Sequence, residues 1–460
     1  MKRQQRRQFL KTAAVGLSGF TILPNAQSAF GYQANERIGA ALIGCGGRGS
    51  WFVGCVPRIG CNIVAMCDAN WKRAAEGFKK LPDPPKYRDF RKMLDEKGSE
   101  IDCVFIAVPD HNHAPISAYA MRAGKHVLCE KPLTRTVEES RALRALARKC
   151  EVATQLGNQG TATHAYREQV ELIQSGLLGP IKEVIVWNTG GGVGPRDTPE
   201  GSQPVPEWLA WDVWLGPRAS RPYHRDWMHW HRWRDFATGQ LGNWGVHSSN
   251  IVFRGLRLNE LWQAPDNQGK AKPPKIRVEA KVSEIVHNTF PKWEIITYAF
   301  PGRGDLPPID VTWYNGLHAP GLQEKFQEIV GRPMVAGGPG PWHEHAGALV
   351  VWEDGFLLSN GHNTEYSLLP EERFQDFERP EATLPRSGSH EREFVAACKG
   401  GPPALSNFDY GGPLTEFLML GNIATRIEGP IEFSPWDMAI TNNTKAAGLL
   451  KADYREGWRL

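Results

Sequence analysis

The stretch Arg37-Ile38-Gly39-Ala40-Ala41-Leu42-Ile43-Gly44-Cys45-Gly46-Gly47-Arg48-Gly49 decides the fold. Its first seven residues form a short apolar run, which is typical of a strand buried in a parallel sheet. The run leads directly into Gly-x-Gly-x-x-Gly. In this motif Gly44 permits a tight turn, Gly46 lets the backbone approach a pyrophosphate, and Gly49 lets the next helix pack closely. The predicted helix at 48–57 would point its first amide groups at the phosphates.

An acidic residue at the end of the next strand strengthens this interpretation. The apolar segment 62–67 ends at Asp68, whose carboxylate can accept hydrogen bonds from the ribose hydroxyls and would repel a 2′-phosphate. This favours NAD over NADP, although Lys72 and Arg73 lie close by and keep NADP open. A glycine-rich turn without a ligand is the alternative, and the strand, helix and acid together argue against it.

The alternation of strands and helices continues to about residue 158. Strands are predicted at 102–109, 126–130 and 152–156, with helices at 114–123 and after the capping box Thr136-x-x-Glu139. The carboxyl ends of parallel strands face one crevice, where ligands bind in such sheets. The predicted cofactor-binding residues are therefore Gly44, Gly46, Gly47, Arg48, Gly49, Asp68, Pro109, His111, His113, Glu130, Lys131 and Asn158.

The remainder of the chain has a different character. A predicted helix at 164–174 and strand at 181–189 precede a long stretch rich in Gly, Pro and Trp, residues 190–244. Further strands are predicted at 276–286, 293–300, 310–314 and 348–360, and helices near 392–399 and 414–426. The strict alternation from Ile276 to Val282 is typical of an antiparallel sheet with one solvated face. We therefore predict an α/β chain with a Rossmann domain at 34–158. It is followed at 159–460 by an α+β domain on a large, mainly antiparallel open sheet.

Several motifs resemble the glucose–fructose oxidoreductase, inositol dehydrogenase and MocA family (Gfo/Idh/MocA). They are the glycine loop, Pro109-Asp110-His111-Asn112-His113 and Glu130-Lys131-Pro132. An exported bacterial branch is similar at Trp211–Pro217, Gly239–His247, Ser406–Tyr410 and Tyr454–Trp458. The resemblance covers nearly all of the chain after residue 36. It implies hydride transfer between a nicotinamide, as NAD or NADP, and a secondary alcohol of a sugar, inositol or related polyol. It also implies a homo-oligomer formed through the open sheet.

Oxidation of an alcohol needs a base for the hydroxyl proton and a group that stabilises the developing charge on oxygen. The resemblance assigns the cationic role to Lys131, beside the nicotinamide, and the role of base to His247. The family's Asp-x-x-x-His pair is here Asn243-x-x-x-His247, with the helical spacing kept and the acid missing. Asn243 could orient the imidazole but could not stabilise an imidazolium by charge. A structural role for His247 therefore stays open.

The cluster Tyr223–His231 combines aromatic and polar groups within the stretch that is rich in tryptophan. Hydroxyl binding is one interpretation and interface packing is the other. Metal binding by His229 and His231 is not expected, because the spacing supplies no third ligand. The predicted substrate contacts are Lys131, Tyr223, His224, Trp233, Arg234, Asn243 and His247, and no metal ligands are predicted.

The first 33 residues are interpreted as a targeting signal and not as part of the fold. Basic residues around Arg6-Arg7 precede an apolar stretch that is too short to span a bilayer and a small-residue run, a pattern similar to a twin-arginine export signal. We expect a periplasmic or otherwise extracytoplasmic protein without stable membrane insertion after cleavage, with a retained anchor as the alternative. The net charge of +4 gives no reason to expect a nucleic-acid partner, and the eight cysteines show no metal spacing.

Three functions remain open from the sequence. The first is a dehydrogenase or reductase of sugars or polyols with net turnover of cofactor. The second is an NAD-dependent glycoside-cleaving enzyme, or an oxidoreductase that couples two sugars, with the cofactor retained and regenerated in place. The third is a carbohydrate-binding protein without activity, which Asn243 keeps open and the intact Lys131 opposes.

Overall fold

A computed structural model describes residues 37–264, 272–334 and 345–460, and the predicted export signal at 1–33 lies outside them. The first sheet is parallel and follows the strand order β3-β2-β1-β4-β5-β6 of a dinucleotide-binding fold. Its strands are β1 (Gly39–Ile43), β2 (Asn62–Cys67), β3 (Lys86–Tyr87), β4 (Cys103–Ile106), β5 (His126–Cys129) and β6 (Thr154–Leu156). The predicted Rossmann fold is confirmed.

Helices connect these strands and cover the sheet. They are α1 (Gly49–Arg58), α2 (Trp71–Lys80), α3 (Phe90–Lys97), α4 (His113–Arg122) and α5 (Val137–Cys150). Strand β1 is buried at every position, which explains its apolar sequence. Helix α5 begins with the predicted capping box, in which Thr136 and Glu139 each accept from the other's backbone amide.

The second sheet has nine strands in the order β13-β12-β11-β7-β10-β9-β8-β14-β15. They are β7 (Glu183–Asn188), β8 (Ile276–Val282), β9 (Glu294–Phe300), β10 (Ile309–Asn315), β11 (Ala346–Val351), β12 (Phe356–Asn360), β13 (Tyr366–Leu369), β14 (Ile431–Ser434) and β15 (Ala439–Ile440). Only the central pair, β7 and β10, is parallel among these strands. The mainly antiparallel sheet is therefore confirmed.

The helices of the second half are α6 (His164–Gln174), α7 (Trp211–Leu215), α8 (Val246–Ser248), α9 (Asn250–Gly255), α10 (Leu322–Val330), α11 (His390–Cys398), α12 (Phe408–Ala424) and α13 (Thr444–Gly448). Helix α12 is buried on almost all sides, because it packs between α5 and the second sheet. Both sheets belong to one compact unit, residues 37–460. Within the described residues, no helix has the length and apolar character that crossing a membrane requires.

Two sequence-based boundaries differ from the structure. The strand predicted at 348–360 is a hairpin of β11 and β12, since the turn Trp352-Glu353-Asp354-Gly355 reverses the chain and Trp352 N donates to Gly355 O at 3.0 Å. The strand predicted to begin at Ile276 alternates between buried and exposed side chains as expected but ends at Val282.

The stretch rich in tryptophan has a small core of its own. We call residues 190–240 the tryptophan-rich strap. Its buried apolar side chains are Leu209, Trp211, Trp214, Leu215, Tyr223, Trp227, Trp233 and Phe236. The strap is joined to the parallel sheet by an antiparallel bridge, in which Trp71 N donates to Trp208 O at 2.9 Å and Ala210 N to Ala69 O at 2.8 Å.

Candidate active site

A cavity of about 670 Å³ lies between the carboxyl ends of the parallel strands and the tryptophan-rich strap. The glycine loop and Asp68 line one part of it, and Glu130, Lys131 and Asn243 line another. Its size is within the range of cavities that bind cofactors. The topology thus brings the glycine loop and the Lys131 turn to one crevice, as the sequence predicted.

The glycines of the loop are required by close backbone approaches. Gly44 has a φ of +86°, and a Cβ added there would lie 2.1 Å from the carbonyl oxygen of Ala107. A Cβ on Gly49 would lie 2.0 Å from the carbonyl oxygen of Gly44. Both glycines therefore let the chain turn tightly at the start of α1, where the loop lines the cavity, an arrangement that suits a pyrophosphate.

Asp68 is fixed beside this loop by backbone amides. Its Oδ2 accepts from Cys45 N at 2.8 Å and its Oδ1 from Asn70 N at 2.8 Å. Burial raises the pKa of the Asp68 carboxyl, and the amides of Cys45 and Asn70 oppose that rise. The carboxylate keeps lone pairs for ribose hydroxyls, so the site fits the adenosine half of NAD.

Cations surround the adenosine end of the cavity. The guanidinium of Arg73 lies over the loop, since a Cβ on Gly47 would be 2.7 Å from its Nη2. Lys72 Nζ lies 5.5 Å from the ring centre of Trp208, and Arg88 lies 4.6 Å from that of Trp71. These charges can face the phosphates of a dinucleotide, and Arg73 covers the surface that the pyrophosphate would contact.

Lys131 follows β5 and is held by two acceptors from one residue. Its Nζ donates to Asn243 Oδ1 at 2.6 Å and to Asn243 O at 3.0 Å. Burial lowers the pKa of Lys131, against the opposing effect of Glu130. Glu130 is itself paired with Arg48 at 2.6 Å. A neutral amine that donates both hydrogens to Asn243 keeps a lone pair free to accept a proton.

Asn243 therefore does not orient His247 as the sequence analysis expected. Its side-chain oxygen binds Lys131, and its Nδ2 donates to Gln240 Oε1 at 3.2 Å. The physical reason is local, because Leu241–Gly245 forms a π-helical turn in which helical spacing no longer places residues four apart on one face. Such turns are frequent at functional sites.

His247 is buried next to a second histidine that the sequence analysis missed. The rings of His247 and His362 have centres 4.6 Å apart, and His247 is 4% exposed. Burial lowers the pKa of His247 well below its usual value, and the positive charge of Lys131 lowers it further. Its imidazole is therefore neutral near pH 7. His247 is not one of the residues that line the cavity, whereas Lys131 and Asn243 are.

Several predicted cofactor residues bind protein groups. The ring nitrogens of His111 lie 2.8 Å from Trp214 O and 3.4 Å from Phe236 O, and burial lowers the pKa of His111 to about 3. The nitrogens of His113 lie 2.7 Å from Pro132 O and 2.9 Å from Val108 O. Asn158 accepts from the Ser406 hydroxyl, whereas Pro109 does line the cavity. His111 thus fastens the strap to the parallel sheet, and His113 supports the Lys131 turn.

Four predicted substrate residues besides His247 lie outside the cavity lining. Tyr223 and Trp233 belong to the core of the strap, and His224 accepts from Asp226 N in a short turn. Arg234 is buried and donates to Thr289 O at 2.5 Å and to Thr425 Oγ1 at 2.9 Å. Side-chain direction in an irregular loop cannot be read from spacing, so the sequence identified the segment but not its inward-facing residues.

Other residues of the strap face the cavity in their place: Trp208, Val213, Trp214, Met228, Trp230 and His231. The rings of Trp230 and His231 are stacked with centres 3.6 Å apart. The abundance of tryptophan was the one sequence signal for this wall. Within the described part of the chain, no group of three or more His, Cys, Asp or Glu residues is placed to hold a metal ion.

Comparison with known families matches both halves of the chain. Residues 38–158 match the model described as the oxidoreductase family, NAD-binding Rossmann fold, and residues 164–300 match that of its C-terminal alpha/beta domain. The chain belongs to the Gfo/Idh/MocA oxidoreductase family. The glycine loop and Asp68 fit the NAD that this Rossmann domain binds.

Curated relatives match parts of the chain. A levoglucosan dehydrogenase from Pseudarthrobacter phenanthrenivorans is 34% identical over 25% of this chain and 29% of its own length. An uncharacterized oxidoreductase from Synechocystis is 33% identical over 52% of this chain and 60% of its own. A glycosyl hydrolase family 109 protein from Saccharopolyspora erythraea is 33% identical over 24% and 25%. The chain thus spans less than two thirds of the length of these relatives.

Solved structures share the fold over most of the chain. The WlbA dehydrogenase from Bordetella pertussis, in complex with NADH and UDP-GlcNAcA, has a TM-score of 0.56 and 13% identity, covering 86% of this chain and 98% of its own. A levoglucosan dehydrogenase in complex with NADH and L-sorbose has a TM-score of 0.53 and 16% identity, covering 87% and 100%. At these identities the similarity concerns the fold alone.

Proposed function

We propose that this protein transfers a hydride between NAD and a secondary alcohol carbon of a sugar, inositol or related polyol. The observation that carries the proposal is the position of Lys131, whose amine is fixed by Asn243 in the same cavity that the glycine loop and Asp68 line. Oxidation of an alcohol needs a group that accepts the hydroxyl proton and stabilises charge on the oxygen, and a buried amine in this position can do both.

The proton goes to Lys131 Nζ in this proposal. Burial lowers the pKa of Lys131, so that the neutral amine is accessible closer to neutral pH. Bound NAD supplies the hydride acceptor. In the reverse direction the ammonium returns the proton, and its third N–H donates to the oxygen as charge develops. His247, buried beside His362, has a pKa too low to hold this proton, so it is not assigned an acid–base role.

The chemistry of the cavity wall supports a neutral, hydroxyl-rich substrate. Trp214 and Trp230 offer flat apolar faces, and Asp110 lines the cavity near Lys131. Aromatic faces pack against the C–H surfaces of sugar rings while carboxylate and amide groups bind hydroxyls. The named relative that acts on levoglucosan is a sugar dehydrogenase, which agrees with this substrate class.

The decisive experiment replaces Lys131 with methionine, which keeps the unbranched chain up to Cε and removes the amine. We expect the Lys131→Met variant to lose at least about 10³-fold in kcat while its dissociation constant for NAD changes less than about threefold. Lys125→Met is a matched control, since Lys125 is also partly buried but donates to Gly98 O away from the cavity. Unchanged turnover by Lys131→Met over a panel of sugars and polyols would refute the assignment.

Glycoside cleavage with a retained cofactor is the second candidate. It is favoured by a relative described as a glycosyl hydrolase family 109 protein and by the strap, which pairs with the loop after β2 and covers the cavity. One sample of the purified protein is denatured and assayed for released nicotinamide. A second, native sample is supplied with aryl glycosides without added NAD. Release of the aglycone without net NADH supports cleavage, and stoichiometric NADH supports the dehydrogenase.

Export and self-association complete the proposal. The basic Arg6-Arg7 segment motivates export by the twin-arginine route to a periplasmic or extracytoplasmic location, without stable membrane insertion. Fractionation with Arg6→Lys and Arg7→Lys together tests the route, and export that continues unchanged would contradict it. The solvated face of β8, with Arg277, Glu279 and Lys281 outward, motivates a homo-oligomer through the open sheet, which sedimentation tests.

A further inference from the structure

A second, smaller cavity of about 60 Å³ lies between the start of α5 and the end of α12. Three arginines and a lysine line it: Arg135, Arg234, Arg426 and Lys451. It shares a wall with the candidate active site, because Thr238 lines it and donates through Oγ1 to Asp110 Oδ2 at 2.5 Å. Arg135 follows Lys131 by four residues, so this cavity adjoins the segment that carries the catalytic amine.

Among the residues that the structure describes, no acidic group lies within ion-pair distance of the guanidinium groups of Arg135, Arg234 and Arg426. Within the described residues, the guanidinium of Arg426 makes no hydrogen bond or ion pair, and its Nε is fully buried. Arg135 Nη1 donates to Arg234 O at 3.2 Å, while Arg135 Nε is buried without a partner. Arg234 donates to two backbone carbonyls and a hydroxyl, all neutral. The Nε atoms of Arg135 and Arg426 are thus buried donors without an acceptor, and buried donors are normally hydrogen-bonded.

The acids nearby are already engaged. Asp235 pairs with Arg221 at 2.6 Å. Glu139 accepts from the backbone amides of Arg135 and Thr136 and from the Tyr454 hydroxyl. Burial, and after it the positive charge of Arg426, lower the pKa of Arg234 to about 9. The effect of Arg426 shows that these two arginines lie close enough to repel each other. The buried Glu294 opposes the fall in the pKa of Arg234 but makes no ion pair with it in the described structure, and the residues that line the cavity include four basic side chains and no acid.

The cavity selects its ligand by size and charge. The cavity of about 60 Å³ is less than a tenth of the volume of the candidate active site, which favours a small ion over a sugar or nucleotide. Planar guanidinium groups match the oxygens of phosphate in pairs.

We propose that this cavity binds a small inorganic oxyanion of the phosphate or sulfate class between the guanidinium groups of Arg135 and Arg426, with Lys451 at its rim. The bound anion neutralises the arginines and stabilises the segment that joins Lys131 to α5. The site is separate from the cofactor cavity and does not depend on the proposed reaction.

The test measures thermal unfolding in chloride buffer with inorganic phosphate or sulfate added up to about 20 mM, at constant ionic strength. At these concentrations the general stabilisation by excluded salts is small. We expect a saturable rise in Tm of at least about 3 °C at saturation. We expect Arg426→Gln and Arg135→Gln each to abolish that response. Arg277→Gln, which removes an exposed arginine paired with Glu279, is the matched control and should keep the response.

A second readout separates a ligand site from a structural arginine. Without added oxyanion, Arg426→Gln should be at least as stable as the wild type, since it removes a charge that has no partner. No saturable response of the wild type, or an equal response of Arg426→Gln, would overturn the proposal. A further outcome is that Arg426→Gln dissociates an oligomer whose stability does not depend on phosphate. In that case the group that neutralises Arg426 is a carboxylate of a second copy, and the assignment to a free anion is wrong. None of these readouts requires turnover.

Discussion

Replacing Asn243 with aspartate tests the role of Lys131 most sharply. In the structure the Asn243 side-chain oxygen lies 2.6 Å from Lys131 Nζ, so Asn243→Asp places a carboxylate against the amine. The ion pair would stabilise the ammonium form and raise the pKa of Lys131, whose burial lowers it in the wild type. In the proposed mechanism the neutral amine accepts the substrate proton, so the rate of oxidation should fall at neutral pH.

The size of the effect follows from the distance. Unit charges 2.6 Å apart interact by about 6 kcal/mol at an effective dielectric constant of 20, which is an upper bound because the new carboxylate must also be desolvated. Carboxylate–cation pairs shift pKa values by about 1–3 units. The rate of oxidation below the apparent pKa should therefore fall by roughly 10- to 10³-fold.

The assay is the pH dependence of kcat for sugar oxidation, followed by formation of NADH. We expect the rising limb of the profile for Asn243→Asp to move to higher pH, with the plateau at high pH largely kept. Gln240→Glu is the matched control. It adds the same negative charge further from Lys131, since Gln240 contacts Asn243 and not the amine, and it should shift the rising limb of the pH profile less. If Asn243→Asp instead raises kcat at neutral pH, residue 243 acts on His247 and the reasoning from Lys131 is wrong.

Three further predictions concern stability, cofactor and substrate. Burial lowers the pKa of His111 to about 3 and also lowers the pKa of His247, so below about pH 6.5 the unfolded chain binds protons that the folded protein does not. The free energy of unfolding, measured with urea, should therefore fall as the pH drops from about 6.5 towards 3, by roughly 4 kcal/mol for His111 alone. A profile that stays flat over this range would contradict the prediction. Burial opposes but Cys129 raises the pKa of His113 to about 10, so its contribution to stability is complete below about pH 6.5, is lost as the pH rises towards 10, and does not alter the fall between pH 6.5 and 3. Asp68→Ser should raise the ratio of kcat/KM for NADP to that for NAD by roughly 10²-fold, since it removes repulsion of the 2′-phosphate; an unchanged ratio would show that Asp68 does not face the ribose. Trp230→Ala should raise the KM for sugar about tenfold and leave the dissociation constant of NAD unchanged, and a change in NAD affinity alone would place Trp230 at the cofactor.

The sequence predicted well those features that depend on backbone rules. The glycine loop, Asp68 and the Lys131 turn had to meet because the carboxyl ends of parallel strands share one edge of a sheet, and they line one cavity. The capping box of α5 and the alternation along β8 were equally readable, since each has a fixed spacing.

Side-chain directions in irregular segments could not be predicted in this way. His111 and His113 follow a strand end, yet their rings turn to backbone carbonyls. The π-helical turn at 241–245 directs Asn243 to Lys131, because its extra residue per turn breaks the helical spacing on which the expectation was based. The strap positions Trp230 in the cavity through long-range packing, for which the sequence carries no periodic signal.

The central claim is tested most directly by a crystal structure of the protein with bound NADH. The account predicts the pyrophosphate against the loop from Gly44 to Gly49, a ribose on Asp68, and the nicotinamide ring beside Lys131 Nζ. It also predicts that Arg73 has moved from the loop surface or contacts the phosphates. A nucleotide bound elsewhere, with Arg73 still lying over Gly46 and Gly47, would contradict the account.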